Sequence, residues 1–431
     1  VCHMSTSVKQ YVDLYEANRD KFGDRDEALK ALSGAMLPDL FAPDYGLNVG
    51  RVRIPVDVAE SFRCDVPTVS TLMGLVLNDT FVPSTTLAGR LPEGVVFGPL
   101  SECMDRLPAM TDPTVLTALN DLLLQEGVIV YVPDGVTLHK PLQLVNIFSA
   151  PVDLMAVRRL VVVLGENARA RMLVCDHTQD DLRKYLSLET VQISLARGSH
   201  FDLVNVEEAS PLTGRRLEMR ARLAADSSLA VTMAHLGGGD SAADIRVHLD
   251  GQGAEARVNG MIIAGGESRV ANATTVWHHG ERTRSEQLFK YVADGASMCD
   301  FRGRIVVDEA ARFTEAYQNN RNVLASDKAA IHTEPTLEIY CDDVKCSHGA
   351  ATGQLDTEAL FYMRSRGIPE EQARHMLMEA FMADVIDGVS VEGLPDRLRL
   401  LVERRFNGVD SAVCANCVPN NDLATPNCGH V

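Results

Sequence analysis

Hydrophobic positions change their period twice along the chain. Near the start, Val8-Lys9-Gln10-Tyr11-Val12-Asp13-Leu14-Tyr15 opens an amphipathic helical pattern that runs on in charged turns to about Ser33. A second helix is predicted with Asp112 as N-cap, Pro113 at its first position, and a stripe of Val115, Leu116, Leu119, Leu122 and Leu123; Gly127 is expected to stop it. The segment between Leu37 and Leu107 is broken by Pro and Gly and gives no clear period. From Val128 the period becomes two. Val128-Ile129-Val130-Tyr131-Val132 reads as a strand closed by Pro133-Asp134-Gly135. Similar short strands follow, parted by turns at Gly165-Glu166-Asn167, Arg197-Gly198-Ser199, Ala225-Asp226-Ser227-Ser228, Gly251-Gln252-Gly253, Gly265-Gly266-Glu267, Asp294-Gly295, Asp308-Glu309 and Ser326-Asp327. Their spacing is irregular, but strands recur over about 200 residues with almost no helical pattern, which suits a solenoid of stacked rungs sharing one core. After Gly353 the period returns to 3.6. Asp356 caps a helix through Phe361 and Tyr362 that ends at Gly367. Pro369 starts another, with a stripe of Ala373, Met376, Leu377, Ala380 and Phe381 ending at Asp387-Gly388, and a last helix holds Leu394, Leu398, Leu401 and Val402.

The predicted fold is therefore mainly β, a parallel β-helix flanked by helical regions. Its expected segments are 1–127 helical, 128–350 β-helix, 351–406 helical, and 407–431 a cysteine-containing tail. Aromatic residues make up only 5% of the chain, as a thin core of Val, Ile, Leu and Ala requires. A net charge of −18 over 431 residues argues against a role on nucleic acid or an anionic membrane. Ten cysteines lie scattered without a disulfide-like framework, and the N-terminus has no apolar leader core. The expectation is a cytoplasmic, reducing compartment with free or metal-bound thiols.

The strongest chemical signal is Cys346-Ser347-His348. On a strand, residues i and i+2 share a face, so a thiol and an imidazole are presented to one volume. A closed metal site needs about four ligands, and a buried thiol beside a hydrogen-bonded histidine is the ordinary alternative. The tail offers Cys414, Cys417, Cys428 and His430, a tetrahedral zinc set by ligand type, against the alternative of incidental cysteines in a loose tail. His278-His279 is read as a strand pair with one ring in and one out. His332 with Glu334 reads as polar residues at a strand end, and Gly237-Gly238-Gly239-Asp240 as a turn. No phosphate loop, nucleotide fingerprint or nucleophile elbow is present.

Three stretches carry a family likeness: Thr283 to Lys290, Glu315 to Leu324, and Leu337 to Ile368. They resemble the SufB/SufD scaffolds of iron–sulfur cluster assembly, and the Asp342-Asp343-Val344-Lys345-Cys346-Ser347-His348-Gly349-Ala350 run looks like the SufD branch. The SufB branch is expected to show a Glu-His-Glu-Ala-Thr-like run there, and a cysteine before the segment that is Ala330-Ile331-His332-Thr333-Glu334-Pro335 here. The resemblance implies a right-handed β-helix and a non-catalytic scaffold in a complex with SufB and the ATPase SufC. It implies a transient iron–sulfur cluster built at the SufB–SufD interface, with His348 facing a SufB cysteine and Cys346 as its neighbour. His332, Glu338 and Tyr340 are candidate interface residues, and Phe361, Tyr362, Arg364 and Arg366 are candidate SufC-docking residues. A homodimer of the isolated chain and a reduced flavin in the complex stay open, as does zinc in the tail. Two other classes also stay open on the residues: a β-helix carbohydrate-active enzyme, and a zinc-binding interaction protein centred on the tail.

Overall fold

The computed structural model describes residues 6–33, 35, 46–47, 69–82, 87, 89–107, 114–179 and 181–408. Alternation of period two decides the architecture. The strand Ser241–Leu249 buries every odd-numbered residue and leaves Ala242, Asp244, Arg246 and His248 partly open. Stacking such strands in register puts like positions on one face and builds a continuous interior. The result is a parallel β-solenoid of about eight turns. Two ten-stranded sheets face each other, and successive strands alternate between them. From Val128 onward the offset between parallel paired strands varies from 26 residues (Arg215 to Ser241) to 32 (Met298 to Ala330), which is why no fixed repeat stands out along the chain.

The expected turns all lie at corners of this solenoid. One corner is a column of left-handed residues, one per rung: Asn167, Gly198, Asp226, Gly253, Arg282 and Phe313, with φ between 56° and 69°. Each donates its N–H to a carbonyl of the next rung, as Asn167 does to Arg197 (2.9 Å) and Gly253 to Glu281 (2.9 Å). Asn, Asp and Gly take this conformation at little cost, whereas Arg282 and Phe313 do not. Here the Arg282 guanidinium lies over the Phe313 ring, 4.7 Å from its centroid.

The interior is mostly apolar, running from Val130 and Leu160 through Ile245 and Val258 to Phe289 and Phe301. Gly260 is needed there, because a Cβ would lie 2.2 Å from the Phe289 ring. A buried polar layer interrupts it in the middle rungs. Arg215 donates to Glu189 (2.8 Å) and Asn205 (2.7 Å) and lies within 3.6 Å of Asp176, so the buried guanidinium sits among carboxylates.

Helices cover the outer faces. The segments Thr6–Glu16, Arg19–Phe22 and Asp26–Leu32 pack with Val115–Leu123 against Met155, Val157, Leu186 and Leu188. The Val115–Leu123 helix begins at a Thr114 capping box and ends at Leu123, before Gly127; Asp112 and Pro113 lie outside the described residues. Most of 37–68 lies outside them too, as do 83–86 and 88, but 72–82 and 89–106 are described. The strands Leu72–Leu77 and Val96–Pro99 join the solenoid, so β structure starts well before Val128 and runs to Gln354. At the other end, the helices Glu370–Asp387 and Leu394–Phe406 pack on Leu173, Val204, Val206 and Met261. The last helix buries Leu394, Leu398, Leu401 and Val402, each contributing about 1.5–3 kcal/mol. The stripe of the preceding helix differs from expectation. Met376 and Ala380 are exposed, and Ala373, Met378, Met382, Val385 and Ile386 are buried, because the covering face is turned toward the sheet and the following helix.

Candidate functional site

The last rung is made by the strands Ala330–Ile339 and Lys345–Gln354, each at the end of its sheet. Among the described residues no strand pairs with their outer edges. In a parallel ladder, alternate residues direct both backbone groups to the same side. Lys345 N–H goes to Thr314 O (2.9 Å), so the odd-numbered residues of its strand bond inward and Cys346, His348, Ala350 and Thr352 face the free edge. Ala330 N–H goes to Ser297 O (3.0 Å), which puts Ile331, Thr333, Pro335 and Leu337 on the free edge of the neighbouring strand. Pro335 thus sits where its missing N–H breaks no ladder bond.

Side chains follow the same register. Cys346 lies over Ala316 and His348 over Gln318, and both lower residues are fully buried. Cys346 and His348 therefore share the interior-facing side of the strand, and with no rung above them the His348 ring is exposed. Cys346 is half-buried and packs beside Leu337, Cys341 and Val344. Burial pushes its thiol up, which outweighs a backbone hydrogen bond at Ala316 that favours the thiolate. No further His, Cys, Asp or Glu closes a ligand set around the pair among the described residues.

Beneath His348 the interior turns polar. Thr274 Oγ1 donates to Gln287 Oε1 (2.6 Å), and Gln318 Nε2 donates to the same oxygen (3.3 Å). Gln318 occupies space left by Gly303, where a Cβ would come within 1.8 Å of its Nε2. Asn322 bridges Asn320 (2.7 Å) and Thr352 (3.0 Å). Gln287 Nε2, Gln318 Oε1, Asn322 Oδ1 and Thr333 Oγ1 remain buried without a partner. Unmatched polar atoms of this kind cost about 1–3 kcal/mol each, so this column weighs against the stability of the last rungs. Sequence reading missed this column. Its one local sign was Gly303 inside a strand, a mark of close approach by another group.

The other candidates fall in different places. His332 and Glu334 point outward, with Glu334 3.8 Å from Arg302. Glu338 accepts both Nε and Nη2 of Arg304 at 2.7 Å, and those hydrogen bonds hold its carboxyl low. Tyr340 is exposed just past the strand. Thr357–Ser365 buries none of its side chains; Phe361 is 73% exposed and Tyr362 58%. Arg364 pairs with Glu370 (3.2 Å), and Arg366 lies 5.1 Å from the Tyr362 ring. His278 is buried between Thr283 and Ser285 while His279 is outside, one in and one out as expected. Cys414, Cys417, Cys428 and His430 lie outside the described residues. Cys103, Cys175, Cys299, Cys341 and Cys346 are all free thiols. No described helix is long and apolar enough to cross a membrane.

The site is thus set on a β-solenoid with helix-covered flanks and one end open among the described residues. Comparison with known proteins gives the family. Residues 147–381 match the SufBD core domain of the SUF system for FeS cluster assembly, and residues 33–144 match the SufBD N-terminal region. The chain belongs to the SufBD family of iron–sulfur cluster assembly proteins. It is 26% identical to a Synechocystis iron–sulfur cluster assembly SufBD family protein over 86% of this chain and 84% of that one. It is 28% identical to the iron–sulfur cluster assembly protein SufD of Escherichia coli over 70% of this chain and 72% of that protein. For SufD of Bacillus subtilis the identity is 25%, covering 68% and 67%.

Proposed function

We propose that the chain is a SufD-type scaffold subunit that pairs with a SufB-type partner along the open edge of its last rung. The observation that carries this reading is the placement of His348: interior-facing, exposed, and on a strand whose outer edge is free. Such an edge invites strand-to-strand pairing, with main-chain hydrogen bonds supplying affinity and side chains supplying selectivity. The partner would bring the ligands that this chain lacks. His348 then offers a neutral imidazole to a nascent cluster that is cargo, held by donors from two chains and released when they part. Imidazole holds iron less tightly than thiolate, which favours release. Cys346, with its raised thiol, is a packing neighbour. The exposed Phe361 and Tyr362 face, flanked by Arg364 and Arg366, suits docking of the SufC-type ATPase. ATP-driven movement of that subunit would open and close the shared site. In this reading the chain itself catalyses nothing.

The test is co-expression with the partner subunits and reconstitution of cluster assembly. His348→Ala is expected to co-purify normally yet lose about 10-fold or more of the assembled cluster. Wild-type assembly by this variant would sink the assignment of His348. Failure of the wild-type chain to co-purify with a SufB-type subunit would sink the pairing.

A further inference from the structure

A second group of ligand-type side chains lies on the flank of the solenoid, two rungs before the open end. Asp250 directly follows the strand Ser241–Leu249, His279 follows Arg269–His278, and Asp308 follows Met298–Val307. They are 29 residues apart in each step and stack at successive corners. The N–H of His279 donates to Leu249 O and that of Asp308 to His278 O, both at 3.0 Å. His248, two residues before Asp250, projects to the same outer face. The register sets His248 opposite Trp277, and their rings stack at 4.3 Å with only 5° between planes, which fixes the imidazole.

Three donor atoms converge there. His248 Nδ1 lies 3.1 Å from His279 Nε2, and Asp250 Oδ1 lies 4.0 Å from that same nitrogen. All three atoms are within 4.8 Å of one another. Donors bound tetrahedrally at about 2.0–2.1 Å are about 3.3 Å apart, so the two imidazoles already have the spacing and the Asp250 carboxylate has to swing in by about 0.7 Å or more. The tautomer is prepared as well. Asp308 Oδ2 lies 2.6 Å from His279 Nδ1, so Nδ1 carries the proton and the Nε2 lone pair faces the other two donors. Arg222 holds both oxygens of Asp250 at 2.9 Å and orients the carboxylate. Counting Asp250, Asp308 and Arg222, the local charge is one negative before any ion enters.

We propose that His248, Asp250 and His279 form a binding site for one divalent transition-metal ion of the zinc or ferrous class, with Asp308 as the residue that positions His279. Imidazole and carboxylate donors select these ions over calcium or magnesium, which need an all-oxygen shell, and the absence of a thiolate disfavours cuprous copper. Three protein donors leave at least one position for water, so the ion is exchangeable rather than structural. The site stands independently of the pairing proposed above.

The test is titration of the full chain with Zn²⁺ against a chromophoric chelator, with Co²⁺ absorption as a second readout. Cys414→Ser, Cys417→Ser and Cys428→Ser are introduced so that tail thiols do not compete. One ion per chain is expected. Its affinity should fall by about 100-fold or more in His279→Gln and in His248→Gln, and by about 10–100-fold in Asp308→Asn. His348→Ala should leave it unchanged. Absence of binding at micromolar Zn²⁺, or the same affinity in His279→Gln and Asp308→Asn as in the parent, overturns the proposal.

Discussion

The two ends of the solenoid are built on opposite rules. At the N-terminal end the sheets finish in Thr80–Val82 and Val96–Pro99, strands of three and four residues that pair antiparallel with their neighbours. Phe81 and Phe97, with ring centroids 5.9 Å apart, plug the interior there. Gly74 makes room for them, since a Cβ would lie 2.9 Å from each ring. At the C-terminal end both last strands are ten residues long, parallel, and unpaired on their outer sides among the described residues. Proteins usually blunt long free edges with short strands, bulges or covering elements. One end of this chain follows that practice and the other does not. On the pairing proposed above, an edge left open over two full strands, above a polar and partly unmatched interior, is where the partner would sit.

The largest difference between the two ends is expected in stability. Phe97→Ala should cost about 3–5 kcal/mol, the loss expected for an aromatic plug in a closed core. Leu337→Ala, in the half-covered last rung, should cost less than about 2 kcal/mol. Denaturant unfolding of the two variants decides the matter, and the reverse order would mean that the open end carries the stability. Pairing comes next. Ala350→Pro removes an edge-facing N–H and no internal ladder bond, so co-purification with the SufB-type partner should weaken by about 10–100-fold. The variant's own unfolding midpoint should hardly move. Undiminished pairing would place the partner elsewhere. The smallest effect is expected at Gln318→Leu, which removes a buried unmatched oxygen and keeps a side chain in the space over Gly303. Stability should stay within about 1 kcal/mol of the parent or rise, while cluster assembly falls. A loss of several kcal/mol would show that the polar column is structural.

Much of this was readable from the residues, for identifiable reasons. The corners were legible where Asn167, Gly198, Asp226 and Gly253 supply left-handed residues. At Arg282 and Phe313 the conformation is imposed by the stacked neighbours, and no turn chemistry announces it. Leu72–Leu77 was missed because its partner, Leu142–Phe148, lies 70 residues on from the register Leu72 to Leu142. The likeness of Cys346 and His348 in facing was visible from strand alternation. That this face is the interior side of an uncapped rung was not, because it depends on which strand comes last. His279 was read as half of a strand pair and Asp308 as part of a turn, and their meeting with His248 and Asp250 was not legible for a related cause: the 29-residue step that stacks them is local to these rungs and dissolves elsewhere into offsets of 26 to 32.

A stacked fold lends stability from neighbour to neighbour, and every inner rung is held from two sides. The rung bearing Cys346 and His348 is held from one. It is therefore the part of the β body most ready to fray, and a second chain seated on it would supply the missing support. Docking and ordering of the site then become a single event. On that proposed pairing, the imidazole would take up its working position only in company.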